Sequence, residues 1–337
     1  MNQLSAIDRF GGSWLAIERR EGLKSLKELK SIATVESTGA STRIEGSSLT
    51  NDEVRKLIFQ NVKIEKFEER DQQEVLGYFN TLDLISESYQ DIRISEGDLK
   101  NLHKLLMQFS DKDQWHKGNY KKNPNSVEAT HADGKKTLVF NTTPPGFETD
   151  DAMRKLIQWY NDDSVAPPLI RAAIFVYDFL SIHPFQDGNG RSSRLISKLL
   201  LLKLDYPWIQ YISFEHEIEN RKIEYYNVLQ QCQQKRPGED VTPWVRFFLS
   251  GLQNIQTKLL QKLEAPKTAN ELSPREKMIY TFIENHDGCK SGEISERLGI
   301  PLPTVKKTLG EMVNAKIISR LGAGAGINYT TDKTNEI

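Results

Sequence analysis

Twelve consecutive residues, His183 to Arg194 (His-Pro-Phe-Gln-Asp-Gly-Asn-Gly-Arg-Ser-Ser-Arg), hold an imidazole, a carboxylate, a glycine-framed turn and two guanidinium groups. His183 ionises near neutrality and can take a proton from a hydroxyl. Asp187 is a hard oxygen ligand of the kind Mg²⁺ takes. Gly188 and Gly190 let backbone amides approach a phosphate with no Cβ in the way, and a helix starting here adds the positive end of its dipole. Arg191 and Arg194 offer charge-assisted hydrogen bonds to phosphate oxygens. Singly, a histidine before a proline, a Gly-Asn-Gly turn and an arginine pair are ordinary structural features. Their combination at this spacing points to transfer of a phosphorus centre from a nucleotide to a hydroxyl.

Two helices must position that stretch. Upstream, Pro168 suits a first helical turn, and Ile170, Ala173, Ile174 and Tyr177 recur at helical spacing. Downstream, Leu195, Ile196, Leu199, Leu200 and Leu202 are apolar on most sides, which predicts a buried central helix. His183 and Asp187 then fall in the loop between them.

The string resembles the signature of the Fic (filamentation induced by cAMP) family: His, Pro, Phe, any residue, Asp or Glu, Gly-Asn-Gly-Arg, two residues, Arg. Every fixed position matches. The resemblance implies a mainly α fold and transfer of AMP from ATP to a Tyr, Ser or Thr hydroxyl of a target protein. It implies His183 as general base and Asp187 as the Mg²⁺ ligand, with Mn²⁺ as a substitute ion. It places the nucleotide along Asp187, Gly188, Asn189, Gly190, Arg191, Ser192, Ser193 and Arg194, with Arg194 reaching the γ-phosphate. The kinase-type branch of the superfamily lacks Gly-Asn-Gly, so the loop favours adenylyl transfer over phosphorylation.

Far upstream lies Ser41-Thr-Arg-Ile-Glu45-Gly46. On a helix Ser41 and Glu45 share a face, and Gly46 suits a left-handed helix end. Alone, Glu45 reads as a solvated glutamate. Beside the loop, the hexad resembles the family's inhibitory motif (Ser or Thr, three residues, Glu, then Gly or Asn). The implied mechanism is that Glu45 pairs with Arg194 and so removes the partner of the γ-phosphate. Some relatives with this glutamate also remove AMP from modified proteins, and the sequence leaves that activity open.

The period changes between Trp115 and Phe147. Asp133-Gly134 is a hairpin signal between Val127–Thr130 and Thr137–Phe140, and Pro144-Pro145 stops the second strand. The resemblance makes this a flap whose edge (Thr137, Leu138, Val139, Phe140) lines the nucleotide site and pairs with a strand of the target. It also gives Tyr225, Tyr226 and Gln233 the adenine and ribose, although relatives can carry Asn at the last place. His103, on the apolar side of a helix capped by Ser95, reads as a satisfied core histidine and stays outside the site.

The remaining chain reads as helices and a linker. Residues 1 to about 22, with Gly11-Gly12, read as an irregular lead-in, followed by a helix from Leu23. Thr50 to Glu53 forms a capping box. The organisation expected is an N-terminal helical region over 1–110 with the inhibitory helix, a catalytic core over 111–264 and a linker over 265–271. A winged helix-turn-helix-like module over 272–337 would follow. In a DNA-binding version of that module, Thr304, Lys306 and Lys307 lie on or near the recognition helix. Yet residues 271–337 carry nine Lys/Arg against nine Asp/Glu, so DNA contact and protein docking stand level. A nucleotide-sensing DNA-binding regulator is therefore the rival to the enzyme.

Across all 337 residues, 45 Lys/Arg face 46 Asp/Glu, a net charge of −1 that gives no global pull toward nucleic acid or anionic membrane. No apolar run nears the roughly eighteen residues of a membrane span, and the N-terminus lacks a signal-peptide pattern. Cys232 and Cys289, with no CxxC, argue against a disulfide framework or zinc site. A cytoplasmic location with ATP available is expected. The expected partners are a target protein on the flap and the chain itself as a substrate. A homodimer and DNA on 272–337 are left open.

Overall fold

The computed structural model describes residues 2–60, 69–110, 114–130, 136–264, 272–322 and 326–331. It divides into two compact units, Met1–Leu260 and Gln261–Ile337. In the first, α1 (Asn2–Ile44), α2 (Asn51–Gln60), α3 (Glu69–Ser88) and α4 (Glu96–Leu106) precede a hairpin of β1 (Ser126–Thr130) and β2 (Lys136–Asn141). There follow α5 (Phe147–Asp162), α6 (Pro168–Ile182), α7 (Asn189–Lys203), a 3-10 turn (Pro207–Gln210), α8 (Phe214–Asn220), α9 (Lys222–Gln233) and α10 (Thr242–Glu264).

α7 is the centre of this unit. It packs against α6, α3, α4, α1 and the 3-10 turn. Leu195, Ile196 and Leu199 to Leu202 are all buried, as an all-round apolar pattern requires. Pro168 starts α6 at N1, and the helix stops at His183, whose left-handed backbone (φ 54°) turns the chain into the loop. Thr50 and Glu53 close the expected capping box before α2: the Thr50 amide donates to Glu53 at 2.9 Å, and the Glu53 amide to Thr50 Oγ1 at 3.3 Å.

The N-terminus corrects one expectation. Residues expected to form an irregular lead-in are instead the first half of α1, continuous with the segment that carries Ser41. Gly11 and Gly12 together cost a helix about 2 kcal/mol in propensity. Tertiary packing overrides that. Ile7 and Trp14 are fully buried, and Phe10 meets Trp208 edge-on at 5.4 Å. A Cβ on Gly11 would stand 3.5 Å from the Tyr206 ring, an ordinary packing distance.

β1 and β2 pair antiparallel, Val127 with Phe140 and Glu128 with Leu138, with a bulge between Val127 and Glu128. The Asp133-Gly134 turn lies outside the described residues, as do the side chains of Thr137 and Val139.

The second unit contains α11 (Pro274–Asn285), α12 (Ser291–Leu298), α13 (Leu302–Asn314) and an antiparallel ribbon of β3 (Ser319–Leu321) and β4 (Asn328–Thr330). Ile279, Ile283, Ile294, Val305, Leu309, Met312 and Ile318 form its core. Ser273 and Glu276 make a reciprocal capping box on α11, and Gly299 ends α12 in the left-handed conformation. The expected linker, 265–271, and Gly324 of the ribbon loop lie outside the described residues. No described helix is long and apolar enough to cross a membrane.

Candidate active site

The loop between α6 and α7 is bound to itself and to three neighbours. Asn189 is buried, and its side chain is spent internally. Its Oδ1 accepts the Phe185 amide at 2.8 Å, and its Nδ2 donates to the Phe185 carbonyl at 2.7 Å. Asn125 donates to that same carbonyl at 2.8 Å, and the Lys121 amide donates to the Pro184 carbonyl at 2.8 Å. Lys121 Nζ, buried with its stem, donates to Asn125 Oδ1, Thr142 Oγ1 and the Ile182 carbonyl at 2.9, 2.8 and 3.0 Å. One lysine thus ties the roots of the flap to the end of α6. Burial lowers its pKa to about 8.

His183 Nδ1 lies 3.3 Å from the Leu180 carbonyl. A carbonyl only accepts, so Nδ1 carries the proton and Nε2 keeps its lone pair. Burial lowers the His183 pKa to about 4. The Leu180 carbonyl opposes that shift, and Lys121 reinforces it. The imidazole is neutral at physiological pH, in the form a general base needs.

Asp187 Oδ1 accepts the Gly188 amide at 2.6 Å. Its Oδ2 faces Arg70 at 3.2 Å and Arg191 at 3.5 Å. Burial opposes ionisation, but Arg191, the Gly188 amide and Arg70 outweigh it and hold the carboxyl below its usual range. Arg191 is 2% exposed and is shared with Glu74 at 3.2 Å, so α3 supplies a charge network behind the loop. Ser193 Oγ donates to the Gly190 carbonyl at 2.7 Å. Ser192 Oγ is buried with no hydrogen-bond partner among the described residues.

Arg194 is buried at 3% exposure, and the end of α1 reaches it. Its Nε donates to Ser41 Oγ at 2.7 Å. Its Nη2 donates to the Ser41 carbonyl at 3.0 Å and to Glu45 Oε1 at 2.6 Å. Burial works against the guanidinium's charge, yet Glu45 and nearby tyrosines raise its pKa. Gly46 (φ 114°) ends the segment, as its position in the hexad suggests. A Cβ on Gly190 would collide with Glu45 Oε1, so the loop glycine is what lets the carboxylate come so near.

Arg43 secures the same helix end. It makes a two-bond pair with Glu219 (2.7 and 3.0 Å) and donates to the Leu49 carbonyl and Asn51 Oδ1, both at 3.0 Å. Lys222 Nζ donates to the Ile44 carbonyl at 2.8 Å.

Tyr225 is buried and meets Tyr226 edge-on at 5.2 Å. Burial raises both phenol pKa values. Gln233 is buried and its amide donates to Ser181 on α6, so it stands at the core of the unit. On the flap, Leu138 is exposed and Phe140 half-buried, with β2 beside α9.

The structure therefore brings His183, Asp187, the α7 N-terminus, Arg194, Ser41 and Glu45 together. Sequence reasoning missed Arg70, Glu74, Lys121, Asn125 and the Arg43–Glu219 pair. Only Lys121 and Asn125 carried a signal, as polar residues in the stretch where the period changes. The start of α7, a neutral histidine and a buried arginine thus meet in one site of a mainly helical protein.

Residues 93–201 match the Fic/DOC family. The chain is similar to protein adenylyltransferase fic-1 of Caenorhabditis elegans, 25% identical over 266 residues that are 74% of this chain and 46% of that protein. It is also similar to protein adenylyltransferase Fic of Drosophila melanogaster, 26% identical over 250 residues, 73% and 46% of the two chains. The chain thus spans about half the length of these curated relatives. A crystal structure of a Fic domain-containing signalling protein from Bacteroides thetaiotaomicron, 26% identical, superposes with a TM-score of 0.62 over 77% of this chain and 96% of that one. A Fic family protein from Desulfovibrio desulfuricans, 24% identical, shares the fold over 100% of this chain and 96% of its own, with a TM-score of 0.68.

Proposed function

We propose that the chain is a protein adenylyltransferase held down by Glu45. One observation carries the reading: the neutral His183, with Nε2 as its free lone pair, stands beside the amide-lined start of α7, whose Arg194 is engaged by Glu45. A target Tyr, Ser or Thr hydroxyl attacks the α-phosphate of ATP. His183 Nε2 takes its proton, the new O–P bond forms, the bond to the β-phosphate breaks and pyrophosphate leaves. Amides of Asn189 and Gly190 face the charge that develops, with no reorganisation needed, while that of Gly188 holds the Asp187 carboxylate.

No group of three or more His, Cys, Asp or Glu among the described residues could cage a metal ion. A single carboxylate beside a phosphate site still fits Mg²⁺, which takes one or two carboxylates together with substrate phosphates and water. Asp187 would hold the ion, with Mn²⁺ as a substitute. When bound, the ion neutralises phosphate charge.

Glu45 acts by occupation. While it engages Arg194, a triphosphate loses its γ-phosphate partner and meets a carboxylate instead, and misplacement of the α-phosphate by about 1 Å can cost about a hundredfold in rate. The edge of β2 is where a target strand would add, recognised mainly through its main chain. The second unit is proposed as a winged-helix-like module.

The test is intact-mass analysis after incubation with ATP and Mg²⁺. Glu45→Gly protein should gain a +AMP adduct on itself or on a lysate protein, and Glu45→Gly with His183→Ala should gain none. A Glu45→Gly protein that transfers nothing would leave the nucleotide-sensing regulator as the better reading. Incubation with an adenylylated protein in parallel reports whether Glu45 also supports AMP removal.

A further inference from the structure

The loop contains a mechanical problem that α4 solves. Gly188 is in the left-handed region (φ 77°, ψ 7°), where glycine has no steric penalty and few restraints. The Asp187 carbonyl and the Gly188 N–H belong to one planar peptide and point in opposite directions. If that plane rotates, the Gly188 N–H turns away from Asp187 Oδ1, which accepts it at 2.6 Å. The glycine that makes room for the phosphate therefore also makes the setting of the Asp187 carboxylate easy to lose.

His103 meets this peptide. It is 1% exposed, and its Nε2 lies 3.0 Å from the Asp187 carbonyl. Its Nδ1 accepts the Gly118 amide at 3.0 Å, so Nδ1 has no proton and Nε2 must carry one. The tautomer is thereby set, and Nε2–H donates to Asp187. The ring is itself clamped, stacked on Phe185 of the same loop with centroids 3.7 Å apart and planes 3° from parallel. A Cβ on Gly188 would lie 3.4 Å from Nε2 and 3.2 Å from Met107 Sδ, so α4 is a floor directly under the peptide.

We propose that His103 is a positioning residue of the phosphate loop: its Nε2–H pins the Asp187–Gly188 peptide so that the Gly188 N–H keeps hold of the Asp187 carboxylate, the proposed Mg²⁺ ligand. The inference rests on the loop being a nucleotide site, as proposed above, and gives a role to a side chain that touches no reacting atom. A merely space-filling histidine would tolerate any residue of similar bulk. A positioning histidine demands a donor at one place.

Glutamine and asparagine separate these roles. A Gln side-chain amide reaches the place of the imidazole Nε2, whereas an Asn amide reaches only that of Nδ1. In the full chain carrying Glu45→Gly, His103→Gln should bind ATP–Mg²⁺ within about threefold of its parent. His103→Asn and His103→Leu should bind about tenfold more weakly and lose kcat as well as affinity, the effect of losing one hydrogen bond to a buried peptide. Calorimetry gives the affinities and thermal melts confirm folding. Should the Asn and Leu proteins not fold, ¹⁵N spectra of the histidine-labelled parent, assigned with His103→Gln, still decide the point, because they must show His103 protonated on Nε2. Asn and Leu proteins that bind as tightly as the parent, a Gln protein no better than Leu, or an Nδ1-protonated ring would each overturn the proposal. A parent that binds nucleotide but transfers no AMP would sink the transferase reading and leave the affinity and tautomer results to judge His103. A parent that binds no nucleotide sinks both.

Discussion

Glu45→Gln isolates charge from shape. Glutamine keeps the length of Glu45 and can still accept from Arg194, but it brings no negative charge. In the structure the carboxylate lies 2.6 Å from Arg194 Nη2, with the guanidinium side chain 3% exposed and the glutamate 32% exposed. Two unit charges 4 Å apart near a protein surface attract by about 4 kcal/mol. The partial exposure of Glu45 lowers this, and a hydrogen bond to a charged group is worth about 1.5–3 kcal/mol net. At 1.4 kcal/mol per decade, that corresponds to about 10- to 100-fold in any equilibrium that must displace Glu45. Only a triphosphate needs Arg194 on the proposed reading. Glu45→Gln should therefore tighten ATP by one to two decades and leave ADP within about threefold, measured by calorimetry with Mg²⁺ at one ionic strength. The two Ser41 bonds still hold Arg194, so the variant should fold, with a lower melting temperature from the uncompensated guanidinium. If ATP and ADP tighten equally, Glu45 acts on the whole pocket and not through Arg194. If neither changes, the pair seen here does not compete with nucleotide.

Three further outcomes follow from the same geometry. Arg43→Ala removes the two-bond pair to Glu219 and the bonds to the Leu49 carbonyl and Asn51. It should cost about 1–3 kcal/mol of stability and raise basal AMP transfer above wild type, read by thermal melts and intact mass. For Glu219, burial opposes ionisation, but His216 and Arg43 outweigh it and bring its carboxyl to about 2, so this pair should persist at mildly acidic pH. The acid limb of kcat/KM, which reports the free enzyme, should fall near the His183 value of about 4 and not near 6.5. The base form prevails above that pH, so Glu45→Gly protein assayed from pH 7.5 down to 5.5 should show no loss once nucleotide ionisation is corrected for, and a halving near pH 6.5 would contradict the neutral-base assignment.

The loop was legible in the sequence because its parts are neighbours in the chain. His183, Asp187 and the glycines need only the junction of α6 and α7 to come together, and helical periodicity on both sides announced that junction. Ser41 and Glu45 were legible only through the resemblance, since nothing local joins residue 45 to residue 194. What supports the loop was not legible. His103, Lys121 and Glu74 act across long separations, and each sits on an element whose own pattern explains it without the site. Gly11 and Gly12 misled in the other direction. Their local preference speaks against a helix, and only the burial of Ile7 and Trp14 against other elements reveals why α1 runs through them.

The structure also alters what the loop's glycines and arginines mean. Sequence logic assigns Gly190 to phosphate and Arg191 and Arg194 alike to charge on the nucleotide. Here Arg191 is buried and shared between Glu74 and Asp187. Arg194 alone combines burial with a partner that a polyanion could replace. The open space above Gly190, which a methyl group would fill, is where Glu45 Oε1 comes to rest. On the proposed reading, restraint and catalysis use the same vacancy and the same guanidinium. A side chain added at Gly190 to exclude the inhibitor would also narrow the approach of the phosphate. On that reading control of this site acts on α1, through anchors such as Arg43, and not on Gly190.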